Sequence, residues 1–195
     1  MNMTTQPLEE QVRALSPDLQ DRVRDYIEYL LARTPEPEPG ETAGPGPEAE
    51  VSLREITGET VRDICRLTDT LTPPKKNMVA PNAVSIAEAY FEKHAWFRAI
   101  YAGETPVGFV MLYDDPEIPE YFLWRLMVAG QHHGKGYGRR GMQLLTEYVR
   151  SRPGAKVLET SCGQGAGSPE GFYRKLGFER NGKMIGDEVG LSLAL

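Results

Sequence analysis

A chain of 195 residues, 40% hydrophobic and 26% charged, has the length and composition of one sizeable globular domain with a small appendage. Its formal charge of −6 argues against general nucleic-acid binding, which draws on basic surfaces. Two cysteines, Cys65 and Cys162, form no CxxC and no disulfide framework, and no run is apolar enough for a membrane span; a soluble protein of a reducing cytoplasm is expected. The opening MNMTTQPLEE lacks the basic and apolar regions of a secretion signal.

Residues 1–33 read as a helical segment of their own. In LSPDLQDRVRDYIEYLLAR, Ser16 is a suitable N-cap, Pro17 fits the first helical position and Asp18 suits the positive end of the helix dipole. Leu19, Val23, Ile27, Leu30 and Leu31 recur on one face. A lone helix this short is marginal in water, so that face calls for a partner: the main domain, the preceding LEEQVRAL, or a second copy in a homodimer. Residues 34–50, TPEPEPGETAGPGPEAE, hold only Pro, Glu, Gly, Ala and Thr, which cannot bury a core; a solvated linker is expected.

The texture changes over residues 51–195. VSLREIT reads as a strand, ETVRDICRLTD as a helix and AVSIAEAYFEKH as a second helix after the loop LTPPKKNMVAPN. WFRAIYA, PVGFVMLYD and YFLWRLMV read as three strands, the first two joined by the hairpin-sized GET and the last two by the acidic DPEIPE. GRRGMQLLTEYVRS is an amphipathic helix with Met142, Leu145 and Val149 inward. KVLETSC is a strand, and SPEGFYRKL a short helix capped by Ser168 and ended by Gly177. FERNGKMI and EVGLSLAL close the chain as paired strands. The order is βααβββαβαββ: an α/β (α+β) domain on a mixed, mostly antiparallel sheet.

One stretch, VAGQHHGKGYGRRG, carries chemistry. Gly136 to Gly141 spell the dinucleotide fingerprint GxGxxG, and Glu159 supplies an acid near the ribose-binding spacing. That fingerprint needs a strand running almost directly into its first glycine; here GQHHGK intervenes, and no βαβ unit precedes it. An ATP-type P-loop fails as well, because Gly134-Lys135 is followed by Gly136 and not by Ser or Thr. A loop holding a pyrophosphate at a helix start needs free amides, small residues and the helix dipole behind them. Gly134, Gly136 and Gly138 supply the close approach, and Lys135, Arg139 and Arg140 the positive charge. The bland alternative is a flexible glycine-rich connection.

These residues resemble motif A of the GNAT superfamily of acetyl-CoA-dependent N-acetyltransferases, with His133 in the place usually held by Gln or Arg and Gly136 and Gly138 as the glycines; Gln131, Gly134 and Gly136 fit the same pattern one step earlier. The element order of residues 51–195 is similar to that family's. SPEGFYRKLGFE resembles its segment after the fifth strand, where Tyr173 matches the tyrosine that protonates the departing coenzyme thiolate; a packed helix tyrosine is the alternative. Together, LWRLMV, GKGYGRRGM, SPEGFYRKLGF and GDEVGLSL look most like bacterial spermine/spermidine (diamine) acetyltransferases.

The resemblance implies acetyl-CoA as donor and direct attack by a small primary amine; the alternatives are the same chemistry on an aminoglycoside-like drug or a protein amine, and a non-catalytic protein that senses acetyl-CoA through the same site. It implies coenzyme contacts from Leu126, Met127 and Val128 of the strand, from His133, Gly134, Lys135, Gly136, Tyr137, Gly138 and Arg139 of the loop, and from Ser168 and Tyr173. The place of the strand glutamate used as base by related polyamine enzymes falls at Trp124, leaving Glu120, Asp114 and Glu159 as base candidates, Glu120 foremost. YDDPEIPEY gathers Asp114, Asp115, Glu117 and Glu120 beside the expected acceptor side, so Asp114, Glu120 and Trp124 are expected to meet a cationic acceptor such as a polyamine; a solvated acidic loop is the alternative. His132, His133 and Cys162 lack metal-ligand spacing, and no metal is expected.

Overall fold

The computed structural model describes residues 15–22 and 44–195. By its internal contacts the chain divides into Met1–Thr42 and Ala43–Leu195. In the first unit, residues 17–22 are helical, starting at Pro17; the Gln20 N–H donates to the Ser16 carbonyl at 2.9 Å. The rest of the expected apolar face, from Val23 to Leu31, lies outside the described residues.

The second unit runs β1 (Val51–Arg54), α1 (Val61–Arg66), α2 (Asn82–Phe91), β2 (Ala95–Ala102), β3 (Thr105–Asp115), β4 (Glu120–Val128), α3 (Tyr137–Arg150), β5 (Val157–Cys162), α4 (Glu170–Lys175), β6 (Glu179–Ile185) and β7 (Glu188–Ala194). This is the βααβββαβαββ order expected from the sequence. One seven-stranded sheet has the order β1-β2-β3-β4-β5-β7-β6, antiparallel throughout except for the parallel β4–β5 pair. Gly103, at φ +57°, makes the tight turn between β2 and β3.

The sheet is buried on both faces. Val110 and Leu112 of β3 point to a core shared with α3 and α4, whereas Phe109 and Met111 point to one shared with α1 and α2. Two-sided burial explains why PVGFVMLYD reads as a nearly continuous apolar run. α3 inserts Met142, Leu145 and Val149, all fully buried, and each such side chain contributes about 1.5–3 kcal/mol.

Two irregularities position the site. Met111 pairs with Arg125 and Leu112 with Leu123, so Trp124 is an extra residue bulged out of the β3–β4 ladder. The bulge resets the alternation: Leu123 and Leu126 face the α3 side, Trp124 and Met127 the α1–α2 side. The β4–β5 ladder also holds only Phe122↔Glu159 and Leu123↔Thr160. Beyond them the two strands part, and Trp124 to Val128 present a backbone edge with no strand partner on that side.

The last residues of the expected linker belong to the second unit. The Pro45 and Gly46 carbonyls accept from the Tyr137 hydroxyl, the Ala49 carbonyl from Arg140 Nη1 at 2.8 Å, and the Glu50 carbonyl from the Gly103 N–H at 2.8 Å. Within the described part of the expected linker, Ala49 packs against the main core, and the strap is otherwise held by its carbonyls, which every sequence carries.

Candidate active site

β4 ends at Val128, and a single 3-10 turn, Gly130–His132, leads toward α3. Gly134 and Gly136 both stand at φ +79°, a left-handed conformation that favours glycine, and the space a Cβ would occupy at each is open. Gly136 is the N-cap of α3, and no side chain caps it. Among the described residues, the backbone N–H groups of Gly134 to Arg139 meet no protein acceptor. A run of free amides at the start of a 14-residue helix is a cradle for a doubly charged anion. Gly141, the last glycine of the apparent GxGxxG, lies inside α3 and packs on Ile100, so the fingerprint is an accidental overlap.

In front of this cradle lies a cleft of about 540 Å³. Leu126, Met127 and Val128 of β4 line it, with His133, Gly134, Gly136, Tyr137, Gly138 and Arg139 from the loop and α3, and Ser168 and Tyr173 from across β5. The strand parting thus brings together all but one of the expected coenzyme residues. The exception is Lys135, whose ammonium donates to the Pro45 carbonyl at 3.3 Å. Tyr137 reaches the cleft only by its edge, being 1% exposed with its hydroxyl spent on the strap. The charged side chains on the cleft wall, Lys75, Arg139 and Lys175, are all basic, which suits phosphates.

His133 braces the loop. Its Nε2 lies 2.7 Å from the Val128 carbonyl and its Nδ1 3.1 Å from Lys75 Nζ. A carbonyl only accepts, so Nε2–H donates and Nδ1 accepts from the lysine. Lys75 comes from the loop between α1 and α2, which the sequence reading treated as a connector; the only sign was the pair of lysines in LTPPKKNM.

His132 is 6% exposed and its Nδ1 has no hydrogen-bond partner among the described residues. Burial, with Lys135 and His133 nearby, lowers its pKa from the usual 6.5. The folded chain therefore holds fewer protons than the unfolded one just below pH 6.5. Stability falls as pH drops through that value and levels off below the folded-state value. Urea unfolding at pH 7.5 and 5.5 is expected to show a larger loss for the wild type than for His132→Leu.

Tyr173 sits in the first turns of α4 at the far wall of the cleft, 5% exposed, between Phe172 and Phe178 with ring centroids 5.5 Å from each. Burial pushes its phenol pKa well up, against the opposing effect of the Thr160 hydroxyl, so the proton stays on. The N-cap of α4 is Pro169, without a side-chain cap, rather than the expected Ser168; Ser168 Oγ accepts from the Glu170 N–H at 3.3 Å in the turn just before the helix.

Residues 64–178 match the sequence profile of the acetyltransferase (GNAT) family. The chain belongs to this family. Its members draw the acetyl group from acetyl-CoA, and the free amides, open glycines and basic wall fit a coenzyme pyrophosphate. An L-2,4-diaminobutyric acid acetyltransferase of Streptomyces avermitilis is 32% identical over 89 residues, 45% of this chain and 49% of that protein. The chain thus matches about half the length of that curated relative. The fold is shared with an acetyltransferase from Thermus thermophilus, at TM-score 0.57 and 18% identity over 74% of this chain and 97% of that one. It is also shared with the PaiA N-acetyltransferase of Thermoplasma acidophilum, solved with coenzyme A, at TM-score 0.57 and 14% identity over 75% and 99%.

On this GNAT frame the expected acceptor residues do not gather at the cleft. Glu120 opens β4, and at about 3.3 Å per residue it stands roughly 20 Å back along the strand from Leu126. Asp114 is a structural acid, accepting from Arg152 Nε at 2.9 Å and the Tyr148 hydroxyl at 2.6 Å. Asp115 is likewise internal, 2.8 Å from His94 Nδ1. Glu159 pairs with Lys183 at 2.8 Å. Trp124 packs into the α1–α2 core through the bulge rather than lining the cleft. The acidic loop lies at the closed end of the β3–β4 hairpin, and the glycine-rich loop at the open end, so the acidic charge stands away from the cleft.

Proposed function

We propose that this chain is an acetyl-CoA-dependent N-acetyltransferase acting on a primary amine of a small acceptor that carries a second ammonium group. The observation that carries the reading is the convergence of a free-amide cradle, a parted β4 edge and a buried tyrosine in one cleft. The bound coenzyme supplies an activated acetyl thioester. The Gly134–Arg139 amides and the dipole of α3 hold its charge, and the unpartnered edge of Leu126 to Val128 offers backbone groups to its arm. Tyr173 keeps its proton for the leaving thiolate. Holding both reactants in the cleft supplies much of the acceleration.

For the acceptor, the match to a diaminobutyric acid acetyltransferase favours a diamine, and the resemblance to spermine/spermidine acetyltransferases points to the same chemistry. Polyamines and diamino acids share a primary amine a few bonds from a second ammonium. The test has two arms. Calorimetry is expected to show acetyl-CoA binding with one site per chain; no binding would sink the reading. Thiol release is then followed with spermidine, spermine, L-2,4-diaminobutyrate, an aminoglycoside and a lysyl peptide. Turnover confined to the peptide or the aminoglycoside would overturn the small-diamine assignment.

A further inference from the structure

The acids named from the sequence leave the acceptor amine without a base, and the parted strands hold one that the sequence reading passed over. Side chains of β5 alternate: Leu158, Thr160 and Cys162 are buried, with Leu158 and Cys162 in the α3 core, while Glu159 and Ser161 face the other way. Ser161 and Cys162 are the residues just past the last β4–β5 pair, at the mouth of the parting. Glu188 opens β7 beside them, half-buried, diagonal to Ser161 across the β5–β7 ladder. Its Oε2 accepts from Ser161 Oγ at 2.5 Å. The Tyr173 phenol lies on the opposite face, in the α3 core with Cys162, and the Glu188 carboxylate is among the groups that raise its pKa after burial. A proton donor and a carboxylate therefore flank the end of β5 from its two sides.

We propose that Glu188, with Ser161 as its relay, is the catalytic base that accepts the proton of the acceptor amine; this rests on the acetyltransferase reading above. The step balances as follows. The amine nitrogen forms a bond to the thioester carbonyl carbon, and its proton becomes acidic as that bond forms. The proton passes to Ser161 Oγ while the Ser161 hydroxyl proton passes to the Glu188 carboxylate. The C–S bond breaks, its electron pair leaves on sulfur, and the Tyr173 phenol proton neutralises the thiolate. Products are the N-acetyl amine and free coenzyme thiol. Glu188 then gives up its proton and Tyr173 regains one through solvent, restoring both groups.

The arrangement also separates the two proton transfers. The sheet stands between the phenol and the carboxylate, so the amine side and the thiol side do not short-circuit before the reactants meet. No expected acid, from Asp114 to Glu159, offers this: each is either far along its strand or already paired with a cation.

The test compares the full chain with Glu188→Gln, Glu188→Asp and Ser161→Ala, using whichever amine of the panel above the wild type turns over fastest. For Glu188→Gln, kcat is expected to fall about thirtyfold or more at pH 7.5, with acetyl-CoA Kd and amine Kd, measured calorimetrically on the coenzyme-loaded chain, within about threefold of wild type. The deficit shrinks as pH rises and solvent hydroxide takes over, and Glu188→Asp recovers part of the rate. Ser161→Ala falls by about tenfold and serves if Glu188→Gln does not fold. A raised KM for the amine at unchanged kcat assigns Glu188 to holding the ammonium and overturns the proposal, as does unchanged kcat in both variants. Failure of the parent reading looks different: the wild type itself releases no thiol with any amine.

Discussion

Replacing Tyr173 with phenylalanine is expected to lower kcat by about 100- to 1,000-fold while leaving acetyl-CoA Kd within about threefold. The substitution removes one hydroxyl and keeps the ring, and the ring is what the surroundings hold: Phe172 and Phe178 flank it, and the Cys162 side chain belongs to the same core. Urea unfolding should therefore stay close to wild type, separating chemistry from folding. Because burial raises the phenol pKa above its ordinary value, the phenol keeps its proton across neutral and mildly alkaline pH. The wild-type pH–rate profile should then show no falling limb below about pH 10, the ordinary phenol value. Unchanged turnover would return Tyr173 to the role of a packed helix residue.

A second large effect is expected far from the cleft, where the sequence had placed an acceptor site. Asp114→Ala strips the partner from Arg152 and from Tyr148, whose hydroxyl is pushed up to about 12 by burial and by its bond to Asp114. The acid thus anchors the C-terminal end of α3 to the end of β3, while Tyr148 stacks on Trp96 at the start of β2 with ring centroids 4.4 Å apart. Leaving two donors without an acceptor, one of them a partly exposed guanidinium, costs roughly 2–3 kcal/mol in urea unfolding. The KM for the amine should be unchanged in the folded fraction. Glu120→Gln, at an exposed position, should change neither stability nor turnover measurably. A raised amine KM in either variant would restore the acidic loop as a substrate wall.

Much of the fold was legible because its information is local. Short apolar runs for the strands, periodicity 3.6 in α3 and glycine at the turns are each written within a few consecutive residues. The coenzyme loop was legible for the same reason, since φ +79° at Gly134 and Gly136 is a demand on single residues. The acceptor side was not. Whether an acid serves chemistry or structure depends on what sits opposite it, and Asp114 meets Arg152 from 38 residues away. The bulge at Trp124 also turned a tryptophan from the cleft into the core, and nothing in YFLWRLMV marks the bulge. Glu188 was hidden by its ordinariness, one acid at a strand start whose importance comes only from the parting of β4 and β5.

The strap of residues 44–50 carries a consequence for how this sequence can drift. Its grip on Tyr137 and Arg140 is made entirely with main-chain oxygens, and Lys135 is held in the same way. Such a grip is indifferent to side chains: Glu48 or Pro47 can be exchanged for almost anything without loosening the start of α3. It is sensitive to something else, the spacing along the backbone. Insertion or loss of a single residue between Gly46 and Ala49 puts the Pro45 and Gly46 carbonyls out of step with the Ala49 carbonyl, which β1 holds in place. A segment that looks like the most disposable text in the chain is therefore free in most of its letters, Ala49 on the core aside, and fixed in its length.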